Sequence, residues 1–218
     1  MERYEGILHH ANYILAISPK DQNNLTNRFK EKVKLLPAFH GNEAFSFKEG
    51  KGDYCFYHGK LSVAENHLAA LYLINEVFSK TSIPFKIAGD GASNELKRAV
   101  AKNKNIELVE GLNPEEINIL IQNAQINVLY TFQPTGIKLK LVNVLYQGRF
   151  ILVNSPMVSE TNLENACRVE DNPQLSIKAI EELMNKNFSQ SDGDERRKIV
   201  GEQFDNKLNA MKICNLIR

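Results

Sequence analysis

The stretch Tyr54-Cys55-Phe56-Tyr57-His58-Gly59-Lys60-Leu61-Ser62-Val63-Ala64-Glu65 decides how the rest of the chain reads. Its first five residues are a short aromatic-rich run of the kind that fits a pleated surface. Gly59 then allows a turn. Ser62 and Glu65 have the spacing of a capping box, which predicts a helix running to about Phe78. Strand, glycine turn and helix in direct succession make half of a crossover unit.

Working outward, runs of the same kind recur at Tyr13–Ile17, Val33–Pro37, Phe85–Ala88, Ile106–Val109, Ile126–Tyr130 and Phe150–Val153. They are mostly continuous rather than alternating, as strands covered on both faces should be. Helix-length stretches with start signals separate them. Ser18-Pro19 opens one, and Asn113-Pro114-Glu115-Glu116 opens another that runs to about Asn123. Thr135 is the expected N-cap of a helix ending near Gly148. A long terminal helix is expected from Val200, Phe204, Leu208 and Met211. This alternation predicts an α/β fold with a doubly wound parallel sheet and right-handed crossovers.

The composition is that of an ordered globular chain: 218 residues, 43% hydrophobic and 24% charged. With 27 basic against 26 acidic residues the net charge is +1, which argues against nucleic acid or an anionic membrane surface as partner. The longest apolar run, Leu68–Ile74, is far short of the roughly 20 residues of a membrane helix, so no transmembrane segment is expected. No apolar signal core follows the N-terminus. Cys55, Cys167 and Cys214 are far apart, without metal-binding spacing, and read as reduced packing residues of a cytoplasmic protein.

In an open parallel sheet, ligands bind beyond the carboxyl ends of the strands, where free helix-start amides point. Four such ends carry informative residues. After Tyr57-His58, the turn Gly59-Lys60 brings backbone amides and an ammonium to a place that suits a phosphate; a plain turn with a solvated lysine is the alternative. Ile87-Ala88-Gly89-Asp90-Gly91 half-matches a dinucleotide fingerprint with Glu110 downstream, but Asn94 stands where a third glycine belongs, and a tight turn accounts for it equally well. Val109-Glu110-Gly111 could offer its backbone to the edge of a base, or be an ordinary turn. At Gln133–Lys140, Lys138 and Lys140 fall in a first helical turn, where cations oppose the helix dipole. Two cations there point to an anion. No catalytic triad, carboxylate pair or metal cluster can be assembled.

Taken together, Tyr57-His58-Gly59-Lys60-Leu61, Glu65-Asn66, Ile87–Gly91, Glu110-Gly111 and Lys140-Leu141-Val142-Asn143 with Gly148 resemble the C-terminal domain of group-1, retaining, GT-B-fold glycosyltransferases. The resemblance implies a Rossmann-like domain over residues 32–218. Residues 1–31 resemble the remnant of an N-terminal domain that would complete the enzyme. It further implies a nucleotide-diphosphate sugar donor, a glycan or lipid-linked acceptor, hexosyl transfer in polysaccharide biosynthesis, and no metal or other cofactor. Lys60 would grip the diphosphate, and Lys60 and Lys138 would stabilise the departing phosphate with amides near Gly136. Gly59, Glu65, Gly89, Val109, Glu110, Gly111, Thr135, Gly136, Ile137 and Asn143 would line the donor site. The family's two motif acids register at Thr135 and Asn143, and a usual second basic residue at Glu65; all three positions differ here. A non-catalytic nucleotide- or sugar-binding module of a larger assembly is the alternative these departures leave.

Overall fold

Two parallel sheets organise the chain, which a computed structural model describes over residues 6–133, 138–159 and 161–216, the side chain of residue 202 excepted. The small sheet pairs β1 (Ile14–Ala16) with β2 (Val33–Leu35) around the intervening α1 (Pro19–Phe29). Ser18 caps α1 by accepting from the Asp21 amide, as Ser-Pro at a helix start should. The run beginning at Val33 was expected in the main sheet and is instead here. Of β2 only Val33 is fully buried, in a separate core with Ile14, Ala16 and Phe29, so the strand lacks the second apolar face that a central position requires.

The large sheet contains β3 (Cys55–His58), β4 (Phe85–Ala88), β5 (Ile106–Val109), β6 (Ile126–Leu129), β7 (Phe150–Val153) and the short β8 (Arg168–Val169). Their order is β5–β4–β3–β6–β7–β8, all parallel. Period-two alternation divides the interior into two cores. Cys55 and Tyr57 face one with Phe85 and Ile87; Phe56 faces the other with Leu129, Ile151 and Val153. The first core is closed by α2 (Ala64–Tyr72), α3 (Asn94–Ala101) and α7 (Pro173–Met184). The second is closed by α4 (Pro114–Asn123), α5 (Leu139–Gln147) and α8 (Gln190–Phe204), with the short α6 (Ser155–Val158) at its margin.

The Asn113–Glu116 capping box forms as expected. The one expected at Ser62 does not. Helix α2 starts from Val63 with no side-chain cap, because the Glu65 carboxylate is engaged elsewhere. The helical path does reach Phe78, but through a π segment, Leu73–Val77. The single terminal helix is in fact two. Asp205 adopts an extended conformation, and its carboxylate accepts from the amides of Lys207 and Leu208, starting α9 (Asn206–Leu216) afresh. Beyond the break Leu208 and Met211 are exposed, while Val200 and Phe204 before it are buried. Cys55 is a packing residue as expected; Cys214 is exposed and is not.

One buried amide joins three segments. Gln125 accepts from the Gly52 amide at 2.7 Å and donates to the carbonyls of Leu183 and Lys186 at 2.8 and 2.7 Å. Gln125→Leu strands these partners in the interior, at a cost of about 3 kcal/mol. Urea unfolding should show the lowered midpoint with an unchanged m-value.

Candidate functional site

The chain builds β3, β4 and β5 in one direction across the sheet, then returns to lay β6 beside β3 and continues the opposite way. Between β3 and β6 the ladder runs only through Cys55–Ile126 and Phe56–Asn127 and ends before either strand does. The connection from β3 enters α2 on one face, and that from β6 leads to α5 on the other. A crevice at such a reversal is where open α/β sheets bind ligands.

Seven side chains gather at this reversal point. Asn154 fixes Thr131 at the end of β6 by accepting from its amide at 3.1 Å and donating to its carbonyl at 2.6 Å. The Thr131 hydroxyl donates to Glu65 in the first turn of α2. The Lys138 ammonium, at the start of α5, lies 3.3 Å from the same carboxylate oxygen. Two residues on, the Lys140 ammonium donates to Asn66 Oδ1 at 3.0 Å and sits 5.2 Å from the centre of the Tyr57 ring. Asn66 in turn donates to the Lys60 carbonyl at 3.1 Å. The Gly59–Lys60 turn, α2 and α5 are thereby tied together.

Burial and charge set the protonation states. Burial lowers Lys140 to about 8, with Lys138 adding to the shift and Glu65 opposing it. Burial alone would raise Glu65, but the Thr131 hydroxyl and Lys138 outweigh it and hold the carboxyl below its ordinary range. His58, at the end of β3, is lowered to about 4 by burial and then by Lys140, so its ring is neutral at pH 7. Its Nε2 is shielded from solvent and has no hydrogen-bond partner among the described residues.

No protein-family model matches the sequence, and neither does any curated protein. Solved structures do. A glycosyltransferase from Rickettsia africae ESF-5 superposes with a TM-score of 0.76 at 12% identity, over 99% of this chain and 65% of that one. A point mutant of S. aureus TarM, solved in complex with fondaparinux, alpha-GlcNAc-glycerol and UDP, gives 0.72 at 14% identity, over 96% and 44%. The trehalose-6-phosphate synthase OtsA gives 0.66 at 10% identity, over 95% and 60%. The fold is that of a GT-B glycosyltransferase domain. The chain spans less than two thirds of each of these three proteins.

Within this GT-B domain the residues expected at the site divide into groups. Glu65 and Lys138 meet directly. Lys60 is exposed on its turn, contributing its carbonyl to Asn66 while its ammonium has no partner among the described residues. Gly59 is required by close packing, since a Cβ there would stand 2.9 Å from the Asn66 side chain. Gly89, at φ +148°, lies so close to Gly59 that a Cβ would strike its carbonyl oxygen. The Glu110 carboxylate accepts from the Ala92 amide at 3.2 Å and pairs with Lys97 at 2.7 Å, holding the glycine turn. The Val109 carbonyl accepts from the Gly89 amide, and the Gly111 amide donates to Asp90 at 2.7 Å. Asn143 donates to Asn118 and accepts from Gln147, an amide network between α4 and α5. Thr135, Gly136 and Ile137 lie outside the described residues.

Asn66, Thr131, Lys140 and His58 complete the cluster beyond those expectations. Lys140 had a signal, a second cation in a first helical turn. Thr131 had none. Because Glu65 is held below its ordinary value of 4.5, its contribution to stability is present above that value and lost as the pH falls through the lowered one. Glu65→Gln should therefore lower stability by about 1 kcal/mol near neutral pH. Denaturant midpoints measured down to acid pH should show this difference shrinking until the two proteins coincide.

Proposed function

We propose that this chain is the donor-binding half of a sugar transferase and that it holds the diphosphate of a nucleotide sugar in the crevice between β3 and β6. The observation that supports this most directly is the pair of ammonium groups, Lys138 and Lys140, brought from one helix start to the reversal point of the sheet. Cations in that turn oppose the helix dipole, and a bound anion removes the conflict. The TarM mutant, a protein of this fold at 14% identity to this chain, was solved with UDP, and that lends the reading support.

The chemistry follows from charge. When the bond between the anomeric carbon and the phosphate oxygen breaks, the electron pair leaves with the diphosphate. The acceptor hydroxyl oxygen bonds to that carbon and its proton passes to the departing phosphate. Fixed ammonium groups stabilise the growing negative charge without reorganising during the step. The acceptor, a glycan or lipid-linked saccharide, would sit on the other half of a two-domain enzyme, which also excludes water on closure.

A second reading, a nucleotide-binding module without transfer activity, is favoured by one observation: Asn143, at a motif-acid position, is committed to Asn118 and Gln147. Calorimetry with UDP, GDP and ADP tests binding under both. At least one should bind saturably, and Lys138→Ala should weaken it about tenfold, the value of one charge-assisted contact. Failure of all three to bind would remove the donor-site assignment. Adding a partner domain and finding no transfer to any acceptor, with binding intact, would favour the module.

A further inference from the structure

Lys138 and Lys140 stand in the same turn but not in the same electrostatic situation. Lys138 has the Glu65 carboxylate at 3.3 Å. The direct partners of Lys140 are the neutral Asn66 oxygen and the face of the Tyr57 ring; Glu65 is near enough to favour its charged form, but no carboxylate among the described residues forms an ion pair with it. An ammonium withdrawn from water without a counter-ion is unfavourable, and proteins rarely keep one unless it meets an anion. Beside it lies a second unfinished group, the shielded and unpartnered His58 Nε2. The imidazole is neutral, so with the proton on Nε2 it offers one N–H to an oxygen. Lys60 has neither feature, since it is exposed and nothing among the described residues fixes its ammonium.

We propose that Lys140 and His58, rather than Lys60, grip one phosphoryl group of the nucleoside diphosphate, an assignment that rests on the donor-binding reading above. The phosphoryl oxygens supply the direct ionic contact that Glu65, held by Thr131 and Lys138, does not make. The ammonium donates to one and the His58 N–H to another, while the Lys60 side chain remains in solvent. Lys138, held by Glu65, stands beside them, and the buried Tyr57 ring lies against Lys140. On binding, the anion favours the charged form of Lys140 and lifts its titration back toward the ordinary lysine range.

The test uses inorganic pyrophosphate as well as nucleotides, so that the anion site and the donor reading are probed separately. Calorimetry at pH 7 should show pyrophosphate binding, weakened at least about tenfold in Lys140→Met, about threefold in His58→Phe, and less than about twofold in Lys60→Met. As the pH rises from 7 to 9 the wild type should lose affinity relative to Lys140→Arg, which keeps its charge. Lys140→Met should still fold, since it puts an unbranched apolar side chain in place of a partly buried ammonium. Should it fail to fold, the Lys140 side-chain NMR titration in the wild type decides the matter, and it must move upward when pyrophosphate is added. Absence of pyrophosphate binding, an unmoved Lys140 titration, or a larger loss in Lys60→Met than in Lys140→Met overturns the proposal. If nucleotides bind but Lys140→Met leaves them unaffected, this assignment fails and the donor reading stands. If pyrophosphate binds through Lys140 but UDP, GDP and ADP bind no more tightly, the anion site stands and the donor reading fails.

Discussion

The reversal of strand order between β3 and β6 is the constraint on which the rest depends. Parallel strands need crossovers, and right-handed crossovers on the two sides of a reversal must run on opposite faces. Helix α2 therefore packs into one core and α5 into the other, although the strands that feed them are neighbours. Neither helix can cover the gap between them. The gap is filled from both sides by first-turn residues, Glu65 and Asn66 from α2 and Lys138 and Lys140 from α5. A polar cluster at this place is a result of topology before it is a result of function. What topology does not require is its sign.

That sign is costly for the fold. Two lysines at the start of α5 work against its dipole, and one of them is desolvated enough to lower its pKa to about 8. Several other helices carry first-turn acids, although exposed lysines also stand in the first turns of α1 (Lys20) and α9 (Lys207). Asp21 lies in the first turn of α1, Glu115 and Glu116 in that of α4, and Asp192 in that of α8. Lys138 and Lys140 differ from those exposed lysines in being partly buried and converging on the reversal of the sheet, where water offsets the unfavourable dipole less.

The strands were legible because each is a short apolar run whose two faces meet two cores, and the runs from Phe85, Ile106, Ile126 and Phe150 all entered the large sheet. The run from Val33 went elsewhere, pairing with β1, because the exposed Lys34 leaves it only one apolar face. Helix starts read from side chains held where the partner is local, as at Asn113 and Glu116. At Ser62 the same spacing misled. Glu65 has a local use and a distant one, and Thr131, brought next to it by the β3–β6 pairing, wins. Asp205 stopped a helix that the apolar periodicity carried straight through, because an aspartate that caps the next helix looks like any polar residue on an exposed face. Lys140 was visible as a misplaced charge, but its lack of a carboxylate is a property of the assembled crevice.

The turns on the other side of the crevice explain why the ammonium groups have a fixed counterpart to work against. A Cβ at Gly89 would strike the Gly59 carbonyl oxygen and one at Gly59 would crowd the Asn66 side chain, Asp90 and Glu110 hold the adjoining glycine turns, and Asn66 fastens the Lys60 carbonyl. These contacts make the glycine-rich turns a rigid scaffold. Under the proposed reading, part of the recognition falls to side chains. An amide cradle binds an anion at any ordinary pH, whereas a partly buried ammonium binds it only while protonated. A crevice that relies on Lys140 holds its ligand more weakly as the pH approaches 8 and beyond, and in exchange concentrates a full charge where a departing phosphate would need it.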